Sequence, residues 1–359
     1  MEIIALRGPE NTGKTTTLNI VFEKLKAQGF QPMKDLEENL ENEDFLWVLE
    51  KDGRKVGLVT QGDYAGGKYS VKNHLRKLES AGCDTAICAC TTDGESKLGI
   101  QRSIDAYAIH DYVDKTKGTD KLSCDQANEE VANKVMTQGT DELSCDQANE
   151  EDAKKVMALF NRKKVLLVLL DEYSDWEGAF LSTALHNGVV PGGEVKYKVH
   201  VVAPTLNAVR SIGGFRTSPD YSFENMPKEY EALILVGGDR WDSPEAELVV
   251  PLVQKALDSG KLVGAICGGA SFLCAHGLLN HVKHTGNGLE ELQQWGGERY
   301  TNEAGYVNAQ AVSDGNVVTA NGLAYLEFTR EVLLRLEAGT VESIEMWYDF
   351  YKNGFVRPE

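Results

Sequence analysis

The sequence predicts an α/β protein built from two doubly wound domains. Short apolar strands alternate with amphipathic helices in both halves of the chain, as in layered α/β folds. At 359 residues the chain is also long for a single hydrophobic core. A duplicated polar segment separates the two halves. We therefore predict domains over residues 1–116 and 162–359, joined by a helical linker over residues 117–161.

The composition limits the classes of partner. A net charge of −18 argues against a general nucleic-acid or membrane-surface binder, because either function needs a basic face. The odd number of cysteines and the absence of a secretory apolar segment favour a reducing cytoplasm. No apolar run approaches the ~18 residues of a membrane span. The expected partners are therefore a nucleotide and a small-molecule substrate.

The segment after the first strand matches the phosphate-loop pattern G-x-x-x-x-G-K-[ST] over residues 8–15. An apolar strand precedes it and an amphipathic helix follows, as that loop requires. Lys14 would reach the terminal phosphates and the Thr15 hydroxyl would hold Mg²⁺. This half resembles small P-loop NTPase-like proteins, which implies ATP or GTP with Mg²⁺ as cofactor, whereas the alternative is a chance match in a glycine-containing turn. The expected nucleotide-binding residues are Gly8, Asn11, Thr12, Gly13, Lys14, Thr15 and Thr16.

A carboxylate just past a buried strand could complete the metal site. Asp63 follows a strand of the predicted hairpin and is our candidate, although a simple loop aspartate is nearly as good an interpretation. Asp93 follows the next strand, at the ligand-facing edge of an open α/β sheet, and is a weaker candidate. The acidic stretch Asp35–Asp44 is expected to be a solvated surface segment.

The duplicated segment covers residues 118–130 and recurs at 139–151, a shift of 21 residues. Each copy carries Ser-x-x-Gln, the pattern of a capping box, with Ser123 and Ser144 as the expected N-caps. The two helices are expected to end near Met136 and Phe160. A recent tandem duplication in a solvated helical linker is the simplest explanation, and Cys124 and Cys145 receive no chemical role.

The most informative segment of the second half covers residues 262–271. An apolar strand ends at Cys267, two glycines follow, and a helix is expected to begin near Ala270. A sharp strand-to-helix turn exposes its central side chain, and the N-terminal amides of the helix favour thiolate over thiol. The alternative is a small buried cysteine packed as an apolar side chain.

Four motifs in this half occur in the order and spacing of a known superfamily. They cover residues 175–177, 236–238, 265–270 and 284–287. Over roughly residues 163–340 the chain resembles the DJ-1/PfpI superfamily, within the flavodoxin-like, class I glutamine amidotransferase-like fold. This resemblance implies that Cys267 is the nucleophile and that Glu177 hydrogen-bonds its sulfur. It also implies an oxyanion hole from the amides of Gly238 and Gly268, with no cofactor in this domain.

The catalytic histidine departs from the superfamily pattern. Many relatives carry it directly after the cysteine, where this chain has Gly268, or in a loop about 20 residues later. In that loop Gly286 or Asn287 falls near the expected position, and His284 lies slightly early. We take His284 as the candidate base, while His276 and His281 are more typical of helix and loop residues.

Three functions remain open. The first is a two-domain protein with a nucleotide-binding module and a hydrolase-like or glyoxalase-like cysteine domain that acts on a small carbonyl or a modified residue. The second is an ATP-dependent glutamine amidotransferase or synthetase, although the histidine pair of glutaminases is missing. The third is a redox or stress sensor with an oxidisable Cys267. The aromatic face of the C-terminal helix is expected to pack on its own domain or on a second copy in a homodimer.

Overall fold

The computed structural model describes residues 1–40, 44–116 and 143–354. The chain divides into two compact units, Met1–Asn161 and Arg162–Glu359. Among the described residues, no helix combines the length and the apolar character needed to cross a membrane. The first copy of the duplicated segment, including Ser123, Cys124 and the predicted helix end at Met136, lies outside the described residues.

The described residues of the first unit form a mixed seven-stranded sheet. Its strands are Glu2–Gly8 (β1), Gln31–Pro32 (β2), Glu38–Asn39 (β3), Phe45–Lys51 (β4), Arg54–Val59 (β5), Thr85–Thr91 (β6) and His110–Asp114 (β7). Strand order is β2-β4-β5-β6-β1-β7, and β3 pairs with β4. Strands β5, β6, β1 and β7 run parallel, whereas β4 pairs antiparallel with β5 in the predicted hairpin. The α/β class is therefore confirmed, with sheets that are mixed.

Helices cover both faces of this sheet. They are Lys14–Ala27, Val71–Ser80, Lys97–Asp105 and Cys145–Phe160, with a 3-10 turn at Lys34–Leu36. Alternate residues of β1 point to opposite faces, so that Ile4 and Leu6 join one apolar cluster while Ile3 and Ala5 join the other. Two apolar layers around a sheet match the doubly wound packing that the sequence predicts.

The helix Cys145–Phe160 corrects the predicted linker. Ser144 caps it through the expected capping box with Gln147. Ala153, Val156 and Phe160 are buried in the core of the first unit, so this helix is part of that unit and not a solvated spacer. The spacer prediction failed because the duplicated sequence ends at residue 151, and most of the apolar stripe that packs lies beyond it.

A buried polar contact fixes this helix to the residues that directly follow β7. Asp152 accepts hydrogen bonds from Lys115 Nζ at 2.9 Å, from Thr116 N at 2.9 Å and from Thr116 Oγ1 at 2.6 Å. The side chains of Lys115 and Asp152 are 2% and 0% exposed. Burial opposes ionisation of the carboxyl, but the hydrogen bonds from Thr116 and Lys115 prevail and lower the pKa of Asp152.

The second unit contains a seven-stranded sheet of order β12-β9-β8-β13-β14-β16-β15 and a two-stranded sheet, β10-β11. The strands are Lys163–Val168 (β8), Tyr197–Ala203 (β9), Val209–Arg210 (β10), Arg216–Thr217 (β11), Tyr221–Ser222 (β12), Ala232–Leu235 (β13), Leu262–Ile266 (β14), Ala311–Asp314 (β15) and Val317–Ala320 (β16). All pairs of the large sheet are parallel except β15 with β16. The carboxyl ends of β8, β13, β14 and β16 therefore lie at one edge.

Helices again cover both faces of the sheet. They are Asp175–Asn187, Pro244–Glu247, Val250–Asp258, Gly268–Ala275, Leu289–Gly296, Tyr325–Arg335 and Val341–Asn353, with 3-10 turns at Phe223–Asn225, Gly297–Arg299 and Glu303–Gly305. Leu166 and Val168 face one apolar cluster, while Val165 and Leu167 face the other. The central strands are buried on both faces, as their continuous apolar sequences predict.

Candidate functional sites

Cys267 occupies a strained turn between β14 and the helix Gly268–Ala275. Its backbone has φ 55° and ψ −125°, a conformation that costs a non-glycine residue about 1–3 kcal/mol. Backbone hydrogen bonds hold it there, since its N–H donates to Ala320 O at 3.0 Å and its carbonyl accepts from Ala270 N at 2.9 Å. The half-buried thiol is thereby fixed at the carboxyl edge of the sheet.

Glu177 faces this sulfur from the first turn of the helix Asp175–Asn187. Its side chain is 1% exposed, and neither carboxyl oxygen makes a hydrogen bond of good geometry within the described residues. Burial raises the pKa of Glu177 to about 7, although Cys267, the Gly237 amide and Ser174 lie close enough to oppose that shift. The carboxyl therefore retains a proton to near neutral pH.

Two glycines make room for this pair. A Cβ on Gly237 would lie 2.2 Å from Glu177 Oε2 and 2.6 Å from Cys267 Cβ. A Cβ on Gly322 would lie 2.8 Å from Cys267 Sγ and 3.1 Å from Glu177 Oε1. Any other residue at either position would push the thiol and the carboxyl out of place.

The thiol is half-buried, and hydrogen-bond donors face it. Burial and the neighbouring charge of Glu177 raise the pKa of Cys267 to about 11, while the Asn287 side chain and the Gly268 amide act in the opposite direction. Glu177 and Cys267 are close enough to titrate as a pair. Between pH values of about 7 and about 11, this pair therefore holds one dissociable proton. That proton lies either on the sulfur, beside a carboxylate, or on the carboxyl, beside a thiolate.

Gly238 and Gly268, the predicted oxyanion-hole residues, are neighbours in the structure. A Cβ on Gly268 would lie 2.8 Å from Gly238 O. The Gly268 amide faces the Cys267 sulfur, and it is the first residue of its helix, where amides have no partner within the helix. This arrangement is compatible with the predicted pair of amides, which remains a prediction.

The structure does not bring the third predicted catalytic residue, His284, into this group. His284 is fully buried, its Nδ1 lies 2.9 Å from Val282 O, and its Nε2 lies 2.8 Å from Tyr300 Oη. Both ring nitrogens are therefore engaged elsewhere. The side-chain hydrogen bond described for the Cys267 sulfur comes instead from Asn287 Nδ2, at 3.6 Å. The sequence places Asn287 near the expected loop position, but residue type directed attention to the histidine.

The glycine-rich loop of the first unit lies between β1 and the helix Lys14–Ala27, as predicted. Gly13 has φ 81°, a left-handed conformation that glycine adopts without strain, and Thr12 Oγ1 donates to Pro9 O at 2.8 Å. Lys14 is 8% exposed, and its Nζ donates to Gly8 O at 3.1 Å and to Pro9 O at 2.6 Å. Burial lowers the pKa of Lys14, and the charge of Asp63 partly offsets this. Asn11 and Thr16 are exposed on this loop and helix.

Two carboxylates lie near Lys14. Asp63, the predicted metal ligand, has a buried Oδ1 with no hydrogen-bond partner in the described part of the chain. Asp44 was not predicted, and its Oδ1 accepts a hydrogen bond from Thr15 Oγ1 at 3.3 Å. Burial raises the pKa of Asp44, and the charge of Asp63 adds to that shift. Asp93 is exposed, and its amide is bonded to Thr91 Oγ1 at 3.3 Å.

Asp44 therefore corrects the prediction that Asp35–Asp44 is only a solvated surface segment. The hairpin register pairs Leu46 with Val59, and Phe45 N donates to Thr60 Oγ1 at 2.9 Å. This pairing carries Asp44 to the end of β5 that leads into Asp63. The hairpin predicted from the sequence would have placed Asp44 near Asp63 if its strand pairing had been extended by two residues beyond Leu46.

A magnesium-bound nucleotide fits these residues in part. The unpaired Asp63 oxygen, the Thr15 hydroxyl and the carboxylate of Asp44 are oxygen ligands of the kind that Mg²⁺ prefers. No group of three or more His, Cys, Asp or Glu side chains within residues 1–40, 44–116 and 143–354 is arranged as a protein-only metal site. Mg²⁺ in phosphate-loop proteins is bound by one or two carboxylates together with substrate phosphates. A site with two carboxylates and a hydroxyl is therefore compatible with Mg²⁺ that a nucleotide also binds.

In the second unit, the fold and the site define a doubly wound α/β domain with a cysteine at a strand-to-helix turn. Residues 163–335 match the DJ-1/PfpI family. The chain is 37% identical over 193 residues to "Uncharacterized protease YdeA" of Bacillus subtilis, covering 54% of this chain and 93% of that protein. It is 33% identical over 192 residues to "Uncharacterized protease YoaZ" of the same organism, covering 53% of this chain and 91% of that protein.

A solved structure gives the same result. The thiJ/pfpI family protein from Bacillus anthracis is 33% identical, with a TM-score of 0.50, and the match covers 54% of this chain and 92% of that one. The chain thus belongs to the DJ-1/PfpI family through its second unit, which confirms the resemblance over the C-terminal half.

Proposed function

We propose that the second unit is a cysteine-dependent enzyme that acts on small carbonyl compounds. The observation that carries this proposal is the contact between Cys267, in its strained turn, and Glu177, whose buried carboxyl has a pKa raised to about 7. A nucleophile beside a proton carrier that titrates in the neutral range is the pair of groups that addition to a carbonyl needs.

The addition step uses groups that already lie together. The Cys267 thiolate attacks the carbonyl carbon, a C–S bond forms, and the carbonyl π electrons move to oxygen. The oxygen then takes the proton held by Glu177, which gives a hemithioacetal and a carboxylate. The amides of Gly238 and Gly268 would stabilise the oxyanion before that proton arrives.

A 2-oxoaldehyde is the substrate class that this pair can take further. The Glu177 carboxylate removes the proton from the former aldehyde carbon and returns it to the adjacent carbon, while the hydroxyl proton of the hemithioacetal moves to the oxygen on that adjacent carbon, which leaves a thioester on Cys267. Water then hydrolyses the thioester to a 2-hydroxy acid and frees the thiol. Peptide hydrolysis, suggested by the names of the two relatives, would require a proton donor for the leaving amine, and among the described residues of this site only Glu177 could supply it, because His284 is engaged by Tyr300 and Val282.

The experiment is a substrate screen of the full chain against methylglyoxal, glutamine and peptides, with and without ATP. We expect turnover of methylglyoxal that is lost in Cys267→Ala and kept in Cys145→Ser, a control thiol in the first unit. Release of ammonia from glutamine or cleavage of peptides would contradict the carbonyl assignment. Selective oxidation of Cys267 by mild peroxide, without turnover of any substrate, would favour a redox sensor instead.

We also propose that the first unit binds ATP or GTP with Mg²⁺. The support is the phosphate-loop pattern in its strand–loop–helix setting, together with the buried Lys14 and the unpaired oxygen of Asp63. The amides that begin the helix Lys14–Ala27 and the Lys14 ammonium would bind the phosphates. Thr15, Asp63 and Asp44 would hold the cation, which neutralises phosphate charge when it is bound.

Titration calorimetry of the full chain with ATP and GTP tests this second proposal. Lys14→Ala should weaken binding about 10- to 100-fold, because a charge-assisted contact to phosphate is lost. Lys26→Ala is the matched control, since Lys26 lies on the same helix and is paired only with Glu23 in the ion pairs described. Equal losses in the two variants, or no binding by the wild type, would contradict the proposal.

A further inference from the structure

Asn287 lies beside the reacting sulfur and has no role in the carbonyl addition proposed for Cys267 and Glu177. It precedes the helix Leu289–Gly296, and its Nδ2 donates to Cys267 Sγ at 3.6 Å. A donor at this place favours a charged sulfur over a neutral one.

The neighbours of Asn287 fix which end of its amide faces the sulfur. The Gly322 N–H donates to Asn287 Oδ1 at 3.0 Å, and Asn287 Nδ2 donates to Glu291 Oε1 at 3.2 Å. Turning the amide over would set its oxygen against a carboxylate and its NH₂ against an N–H. Because this arrangement is excluded, the NH₂ group must face Cys267.

A second contact anchors this arrangement to the turn itself. Glu291 Oε1 also accepts a hydrogen bond from Ser271 Oγ at 2.8 Å, and Ser271 is fully buried in the helix that begins at Gly268. A chain of hydrogen bonds thus runs from the helix Gly268–Ala275 to the Cys267 sulfur, through Ser271, Glu291 and Asn287. The donor is held in place before any substrate arrives.

We propose that Asn287 is a catalytic residue of this site, a fixed neutral donor that holds the Cys267 thiolate. This inference rests on the proposed role of Cys267 as nucleophile. An amide nitrogen neither gains nor loses a proton in water, so the donor does not titrate and cannot serve as a base. In the described part of the chain, Glu177, from the helix Asp175–Asn187, is the carboxyl that faces the sulfur, while the carboxyl of Glu291 contacts Asn287.

This assignment predicts a particular pH dependence. When Asn287 is removed, the thiolate loses a donor, and a higher pH is needed to form it. Once the thiol is fully ionised at high pH, the variant should react as fast as the wild type. A variant whose site is merely distorted would instead react more slowly at every pH.

The experiment measures the rate of Cys267 alkylation by iodoacetamide in the full chain from pH 5 to 11, resolved by mass spectrometry of the cysteine peptides. Asn287→Ala should react about tenfold more slowly at pH 7, the effect of losing one hydrogen bond to a charged group, and this difference should narrow as the pH approaches the alkaline end of the range. Glu291→Ala should shift the profile in the same direction by less. Asn225→Ala is the control, an exposed asparagine bonded to Ser222 Oγ at 3.2 Å.

The two proposals fail in different ways. If Cys267 reacts readily in the wild type and the Asn287→Ala profile superimposes on it, the role of Asn287 is overturned and the nucleophile stands. The same holds if Asn287→Ala is slower by a constant factor at every pH. If Cys267 of the wild type is no more reactive than the buried Cys274, both proposals are overturned.

Discussion

Gly322 touches the sulfur of Cys267 so closely that a Cβ placed on it would lie 2.8 Å from Sγ. The same residue donates its N–H to Asn287 and accepts the Trp176 Nε1–H at 3.1 Å on its carbonyl. Gly322 lies in the loop that follows β16, and its contacts there restrict the position of the Cys267 sulfur. The absence of a side chain here is a requirement of the site.

Gly322→Ala should lower the rate of Cys267 alkylation at neutral pH by about tenfold or more. The added methyl group must displace a sulfur whose backbone is already strained, and such overpacking costs about 1–3 kcal/mol. Gly288→Ala is the control, because its Cβ would meet no atom within 4 Å. Equal rates in the two variants would show that the sulfur is not confined.

The shared proton of Cys267 and Glu177 gives a second prediction. In the wild type, the alkylation rate of Cys267 should begin to rise near pH 7, where the pair loses its first proton, and should rise again toward the second pKa of about 11. In Glu177→Gln the first rise should disappear, because a single titrating group remains. An inflection near pH 7 that survives in Glu177→Gln would assign it to another group.

Asp44 should change the metal dependence of nucleotide binding. We expect Asp44→Asn to raise the Mg²⁺ concentration for half-maximal binding about tenfold, because one charged oxygen is lost beside Thr15. Binding without Mg²⁺ should not weaken, since the substitution removes a negative charge near the phosphates. Asp35→Asn, at an exposed position, is the control in the same titration. Equal weakening with and without Mg²⁺ would remove Asp44 from the cation site.

The buried pair of Asp152 and Lys115 should stabilise the first unit. Asp152→Ala leaves the ammonium of Lys115 buried without its partner, which costs about 3–5 kcal/mol. Hydrogen exchange of β7 and of the helix Cys145–Phe160 in the full chain would report the loss. Lys155→Ala removes a contact whose lysine is 45% exposed and should have little effect.

The same pair sets the pH dependence of that stability. The pKa of Asp152 is lowered in the folded state, so its contribution is present above its unfolded value of about 4 and is lost as the pH falls through the folded value. The difference between wild type and Asp152→Ala should therefore be constant from pH 7 to pH 5 and shrink below pH 4. A difference that shrinks near pH 6 would implicate another group.

The order of elements could be predicted from the sequence, because it depends on local apolar periodicity and turn chemistry. The strand Leu262–Ile266 and the hairpin β4–β5 lie where those signals put them. The helix Cys145–Phe160 was mistaken for a spacer, since its burial depends on a distant partner surface. Sequence patterns report which face of a helix is apolar, but not what covers it.

The residues of the candidate sites also fall into those that local sequence motifs predict and those that depend on contacts between distant segments. Cys267 and Glu177 were predicted from short motifs, and the structure brings them together. His284 was chosen by residue type, yet its ring is engaged by Tyr300. Asn287 and Asp44 reach their sites through hydrogen bonds between segments 20 or more residues apart, at Cys267 and Thr15, and no local pattern encodes such a meeting.

The ion pair between Lys115 and Asp152 also uses a residue that follows the second copy of the duplicated segment and has no counterpart after the first copy. A shift of 21 residues would place Val131 where Asp152 lies and Gly139 where Phe160 lies, while Asn128 would replace an identical Asn149. Lys115 therefore discriminates between the two sequences, because an aliphatic side chain opposite its buried ammonium would leave that charge without a counter-ion.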